Sequence, residues 1–243
     1  MRAHSSDNHQ TVTVSFFRYP RGERRWGMKQ MWVSRKRMQS LSGLKFFKPF
    51  GTGGGAGFSI RPDLSTYGIL AVWESETHAN AFVQSDYFEE LRSHSAEFYT
   101  IFLHPLSSRG SWSGFSDWQC LADAAEEGVM GVITRATIKP RFAWKFWTMV
   151  PRTSKDHEGF RGLLFSRGIG EVPLTEQATF SIWKDSDSMK EFAYKTFHAK
   201  AITETRKRKG FREEMYTRLK PFRTIGTWGG EDPIQRHLAA VHR

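Results

Sequence analysis

A histidine set within one of two apolar stripes of a helix is the side chain of this 243-residue sequence best placed for chemistry. Asp185, Ser186 or Ser188 can cap a helix, with Glu191 three residues after Ser188 as in a capping box. Along that helix Met189, Phe192 and Ala193 recur as one apolar stripe, and Tyr194, His198, Ala201 and Ile202 as a second. A helix apolar on two sides is sandwiched between its own sheet and something else, either another helix or a bound ligand. Three roles are open to an imidazole there: a satisfied core residue, a general base, or an axial ligand to haem iron.

Other chemistries find less support. There is no His-x-x-x-His, His-Glu-x-x-His or carboxylate cluster of the kind that holds zinc or non-haem iron. The single cysteine, Cys120, excludes a disulfide framework and any multi-cysteine metal site within one chain, and its acidic surroundings disfavour a thiolate ligand. A hydrolase elbow is missing, because Gly110-Ser111-Trp112-Ser113-Gly114 lacks the strand-to-helix context of a nucleophile turn. The glycine run Gly51 to Gly57 has no Gly-Lys-Ser or Gly-Lys-Thr and leads into an extended segment, so it reads as a turn between strands and not as a phosphate cradle.

Composition narrows the partners. The net charge of +11 attracts something acidic: nucleic acid, an anionic membrane surface or an acidic redox partner. The cations are dispersed, and the one tight run, Arg206-Lys207-Arg208-Lys209, reads as a solvated helix face, so nucleic acid is not expected. Twenty Phe and nine Trp exceed ordinary core filling and suit either a Phe-rich core or a flat apolar ligand. The polar N-terminus lacks a signal peptide's apolar centre, and no stretch approaches about 18 apolar residues. A reducing, cytoplasmic setting follows, with any contact to the inner membrane surface peripheral.

The elements that would position His198 form an internal repeat. Trp73 and Trp183 each close a strand, Phe82 and Phe192 follow nine residues later, and each half ends in Gly-x-Trp-x-Gly. Strands are expected at 11–18, 44–50, 66–73 and 98–103, and again at 129–138, 162–165, 179–183 and 222–226. Helices are expected from Trp26 to Leu41, where Met28, Met31, Trp32, Arg35 and Met38 recur at helical spacing with the methionines and tryptophans inward, from Thr77, from Phe88 to Glu97, and from Arg141 to Val150. The His198 helix follows, and a further helix leads into the final strand. Gly168-Ile-Gly reads as a turn. Each half is then β-α-β-β-α-β, the ferredoxin-like motif, and the two pair as an α+β barrel-like pseudo-dimer. The divisions are a tail at 1–10, a first repeat at 11–114, a linker at 115–128, a second repeat at 129–230 and a polar tail at 231–243. Aligned on the tryptophans, His198 answers to Phe88.

The VSFFRY segment at 14–19, the Gly-Thr-Gly-x-Gly loop at 51–55, Arg109-Gly-x-Trp-Ser-Gly, GIGE at 168–171, QATFSIW at 177–183, FAY followed by His198, and REEMYTRL at 212–219 together resemble the spheroidene monooxygenase family of carotenoid ketolases. The resemblance runs from Thr11 to Gly230. It implies an oxygenase that introduces hydroxyl and then keto oxygen at the end of an acyclic carotenoid, using dioxygen, haem and electrons from a reduced, acidic ferredoxin. It also implies that His198 ligates the iron, that Trp144, Phe146, Phe165, Phe180 and Trp183 wall the pocket with Tyr194 beside it, and that Arg167 and Arg206 meet the haem propionates. A non-catalytic haem-binding protein and a haem-degrading monooxygenase of the same fold are the competing classes.

Overall fold

The computed structural model describes residues 9–54, 62–122, 127–142, 159–172, 176–195, 203, 205, 207 and 209–241. The first half comprises β1 (Thr11–Arg18), α1 (Arg24–Gln39), β2 (Leu44–Gly53), β3 (Pro62–Trp73), α2 (Glu76–Val83), α3 (Asp86–Ser93) and β4 (Glu97–Gly110). The second half comprises β5 (Met130–Ile138), β6 (Leu163–Val172), β7 (Glu176–Trp183), α4 (Ser186–Lys195) and β8 (Phe211–Gly226), and α5 (Pro233–Val241) follows it. Eight strands close a barrel in the order β1-β3-β2-β6-β7-β5-β8-β4, every neighbouring pair antiparallel.

Strand alternation divides each half into an inner and an outer face. On β1, Val12, Val14 and Phe16 enter the barrel, whereas Phe17 joins the outer cluster. The interior is packed solid with rings: Phe16 lies 5.3 Å from Phe50 and 5.2 Å from Phe165, and Phe165 lies 5.7 Å from Tyr99. Much of the unusual phenylalanine content is therefore ordinary core, in edge-to-face arrangements.

The repeat is real in the pairing. Trp73 stands opposite Thr11 and Leu44, and Trp183 stands opposite Met130 and Leu163. The halves meet along a long β4–β8 seam and at a short β2–β6 contact, Gly51 with Gly170 and Thr52 with Ile169. This is the α+β pseudo-dimer of ferredoxin-like halves expected from the sequence.

Each Gly-x-Trp-x-Gly turn stoppers one end of the barrel. Antiparallel closure reverses the second half relative to the first, so Trp112 and Trp228 lie at opposite ends. Trp112 is buried against Phe46, and Trp228 packs on Phe16 and Phe165 with the Arg18 and Arg167 guanidinium groups 4.2 and 5.2 Å from its ring. A carboxylate from the other half fixes each turn. Glu213 accepts from the Ser111 hydroxyl (2.7 Å) and from the Ser113 and Gly114 amides, and Glu97 accepts from the Gly230 amide (2.8 Å). Gly110 and Gly226 have φ of 88° and 79°, and a Cβ would meet the carbonyl oxygens of Glu214 and Phe98 at 2.0 and 2.3 Å.

Several local expectations are corrected. REEMYTRL is not a helix but the middle of the 16-residue strand β8, with Met215, Thr217 and Leu219 buried and Glu214, Tyr216 and Arg218 on the other face. Its Glu, Met and Arg content favours helix, and tertiary pairing overrides that preference. Gly168 and Gly170 lie within β6 and make no turn. The stripe that α1 buries is Gly27, Gln30, Ser34 and Met38, while Met28 and Trp32 are 43% and 65% exposed. This helix rides close on tyrosines: a Cβ on Gly27 would stand 2.4 Å from the Tyr19 ring, and the Ser34 and Tyr87 hydroxyls are 2.6 Å apart. The C-terminal segment is helical over α5. Asp232 caps it by accepting from the Ile234 and Gln235 amides, and it also accepts from the Tyr99 hydroxyl. Gln10, at the edge of the expected tail, is buried and fastens the linker through Asp117 and Gln119.

Candidate functional site

The two halves share a scaffold but not an outer face. In the first half Phe17, Phe47, Tyr67, Ile69, Ala71, Phe98 and Phe102 fill that face, and Met38, Phe82, Phe88 and Leu91 of α1, α2 and α3 cover it. The strand registers pair each position with its counterpart. Ala136 stands for Phe17, Ser166 for Phe47, Gly168 for Pro49, Gln177 for Tyr67, Thr179 for Ile69 and Ser181 for Ala71. Glu214 and Arg218 stand for Phe98 and Phe102. Large side chains have given way to small or polar ones at Phe17, Phe47, Tyr67, Ile69, Phe98 and Phe102, whereas Thr11, Thr13 and Thr100 answer to the larger Met130, Val132 and Tyr216.

The result is a floor of small side chains over β6, β7 and β5. It spans about 10 Å across three strands and about 14 Å along them, the footprint of a flat polycyclic group. Ser166, Thr179 and Ser181 are 6%, 6% and 5% exposed. The Ser181 hydroxyl accepts from the Trp183 indole N–H at 2.9 Å, but the Ser166 and Thr179 hydroxyls find no hydrogen-bond partner among the described residues. A buried hydroxyl without a partner costs about 1–3 kcal/mol, so two side by side in a face otherwise able to carry Phe and Ile call for a reason. The remaining apolar residues gather at one end of the floor, where Met130, Val132, Trp183, Met189 and Phe192 pack together with Phe160. There Asp185 caps α4, its carboxylate accepting from the Ser188 amide at 2.7 Å.

The residues singled out from sequence are scattered by this geometry. Phe165 and Phe180 point into the barrel, and Trp183 lies on the outer face, because 180 and 183 differ by an odd number along β7. These three therefore do not form one wall. Arg167 shares the interior with Trp228, where burial and the neighbouring Arg18 lower its pKa, opposed by Asp63, so it does not face the floor. Tyr194 is 78% exposed. His198, Trp144, Phe146, Arg206 and nearly all of the Arg141–Val150 helix lie outside the described residues. Phe88, the residue that answers to His198, is buried on the outer face of its own half, 5.5 Å from Phe17 and 6.1 Å from Phe98.

Sequence reasoning missed Ser166, Thr179 and Ser181. Aligning Trp73 with Trp183 already sets Ile69 against Thr179, and that was the available signal. The side chains of the floor carry no redox chemistry. Among the described residues no three His, Cys, Asp or Glu side chains could hold a metal ion, and no helix is long and apolar enough to cross a membrane. Two open depressions lie elsewhere on charged surface. One, of about 490 Å³, is beside Lys184, Asp187 and Lys190; the other, of about 470 Å³, is beside Arg135, Arg212 and Glu213. Neither offers an apolar floor.

No protein-family model matches the chain. Among solved structures it is similar to a haem-degrading enzyme of Listeria monocytogenes (14% identity, 85% of this chain and 98% of that one, TM-score 0.31). It is also similar to a ferredoxin-fold protein of the same species related to antibiotic biosynthesis monooxygenases (14%, 89% and 98%, TM-score 0.31). Likenesses of that size carry no functional argument. Sequence relatives are nearer. A spheroidene monooxygenase of Cereibacter sphaeroides is 37% identical over 95% of this chain and 72% of its own length. Those of Rhodobacter capsulatus and Rubrivivax gelatinosus are 37% and 31% identical over 86% and 85% of this chain and 88% and 80% of theirs. With that identity over most of both sequences, the chain belongs to the spheroidene monooxygenase family.

Proposed function

We propose that this protein oxygenates the end of an acyclic carotenoid at the pared outer face of its second half. One oxygen atom of dioxygen enters a C–H bond of the polyene, and the other leaves as water with two electrons from a reduced ferredoxin and two protons. A second insertion at the same carbon gives a gem-diol, which loses water to form the ketone. The observation that carries the reading is the replacement of Phe17, Phe47 and Ile69 by Ala136, Ser166 and Thr179 in a chain of this family.

Haem is the group we assign to the floor; when bound it supplies the oxygen activation that side chains lack. The dimensions of the floor suit a porphyrin, and the Ser166 and Thr179 hydroxyls are free to bond polar atoms of a ligand. His198 is the residue that would hold the haem iron. Its counterpart Phe88 packs on Phe17 and Phe98, whose positions are taken by Ala136 and Glu214 in the second half, and this difference between the halves supports the assignment. Trp183, Met130 and Phe192 exclude water from the apolar end, where the polyene lies.

The test is a visible spectrum of the purified protein reconstituted with haem, followed by incubation with carotenoid, reductant and dioxygen. Wild type should show a Soret band and a more oxygenated polyene. His198→Ala should shift or weaken the band, and Ser166→Phe, which restores the first-half residue, should abolish haem uptake in a protein that still folds. An unchanged spectrum in His198→Ala removes the ligand assignment, and consumption of the porphyrin in place of the polyene makes the protein a haem-degrading enzyme.

A further inference from the structure

We propose that the outward stripe of α1 is a docking surface for an anionic lipid bilayer. The helix contains six Lys or Arg residues and no Asp or Glu. Its solvent side carries Arg25, Met28, Lys29, Trp32, Arg35 and Lys36 at three- and four-residue spacing, all exposed. Arg37 is held by Glu90 at 3.0 Å, whereas Arg25, Lys29, Arg35 and Lys36 form no ion pair among the described residues. An indole 65% exposed and a thioether 43% exposed, ringed by unpaired cations, match an interfacial helix that seats its apolar side chains at the acyl boundary and its cations among headgroup phosphates.

Size separates this occupant from a protein. A helix of 16 residues is about 24 Å long and about 10 Å wide, so one face offers roughly 240 Å², well below the roughly 800 Å² per partner of a stable protein interface. A bilayer needs only the stripe. The buried side of α1 is committed to Tyr19 and Tyr87, which holds the helix rigidly with Trp32 outward. The helix covers β2 and β3, and the floor lies on β6, β7 and β5, the next strands round the barrel, so a docked α1 and the floor occupy different parts of the barrel wall. The purpose, though not the contact, rests on the oxygenase reading: an acyclic polyene is dissolved in lipid.

Sedimentation with phosphatidylcholine vesicles, with and without phosphatidylglycerol, tests the contact. The full chain should pellet with the anionic vesicles, less so as salt rises, and not with phosphatidylcholine alone. Replacing Lys29, Arg35 and Lys36 together by Gln should weaken binding by on the order of a hundredfold, about fivefold per cation, with circular dichroism unchanged. Trp32→Ser should weaken it further at high salt, where the apolar contribution remains. Equal binding of the triple variant and wild type, or equal binding to both vesicle types, overturns the proposal. So does a chain that ignores vesicles but loses an acidic ferredoxin when the three cations are replaced. Because sedimentation requires no turnover, its failure leaves the oxygenase reading standing, and an inactive enzyme can still pass it.

Discussion

Thr179→Val separates a hydroxyl kept for a ligand from one kept for the fold. The side chain is 6% exposed, and its oxygen has no partner among the described residues. Valine keeps the branched shape and removes only the unsatisfied polar atom. Relief of that burial should stabilise the ligand-free protein by about 1–2 kcal/mol. For a chain of this length that raises the melting temperature by roughly 2–8 °C. If the hydroxyl bonds the bound group, the same change should cost about 0.5–1.5 kcal/mol of affinity, a loss of roughly two- to tenfold. The two effects have opposite signs, and that is the discriminating feature. Thermal unfolding with and without haem reads both, because the ligand-induced rise in midpoint should shrink while the ligand-free midpoint climbs. A lower ligand-free midpoint would show that Thr179 is already satisfied in the fold, and the account of the floor would be wrong. A higher midpoint with undiminished haem affinity would show that the hydroxyl takes no part in binding.

Two further outcomes test the scaffold. Burial raises the Glu213 carboxyl, but hydrogen bonds from Ser111, Gly114 and Ser113 together with the Arg135 charge outweigh it and bring its pKa from 4.5 to about 2. A carboxyl depressed in the folded state stabilises fully above its unfolded pKa and loses that contribution as pH falls from about 4.5 to about 2. Glu213→Gln should abolish this slope in acid denaturation, and it should lower neutral-pH stability by roughly 3 kcal/mol because Arg135, 2% exposed, loses its counter-charge. Gly226→Ala forces a positive φ on alanine and a Cβ to 2.3 Å from the Phe98 carbonyl oxygen, and should cost about 3 kcal/mol, or roughly 6–12 °C by calorimetry.

The fold was legible where local pattern and tertiary pairing agreed. Thr11–Arg18 and Glu176–Trp183 alternate, are rich in β-formers and are strands. The duplicated tryptophans announced the pseudo-dimer. Reading failed where one preference overrode another. Phe211–Gly226 carries helix-favouring Glu, Met and Arg along a two-residue alternation, and the barrel chose the alternation. In α1 Met38 faces inward as its spacing predicts, but beside Tyr19 and Tyr87 the helix sits so close that Gly27, Gln30 and Ser34 take the buried positions and Met28 and Trp32 turn outward. The candidate site was legible as an asymmetry at His198 against Phe88, but not as a surface. Which of Phe165, Phe180 and Trp183 share a face depends on strand parity, and Ser166 gains meaning only when the two registers show that it answers to Phe47. Small polar residues mark this face only by comparison with the larger groups that hold the same positions in the first half.

The crossed stoppers bear on how such a protein can change. Glu213 of one half seats the turn that closes the other strand group, and Glu97 returns the service, so neither half is finished without its twin. A duplicated chain built in this way cannot shed either copy, yet it does not need both to be equally dense. The first, with Phe88, Phe82 and Trp73 locked together, can act as ballast. The second is thereby released to vary on its outer face, where Ala136, Ser166 and Thr179 stand in the places of Phe17, Phe47 and Ile69, while the anchoring copy keeps the whole molecule upright.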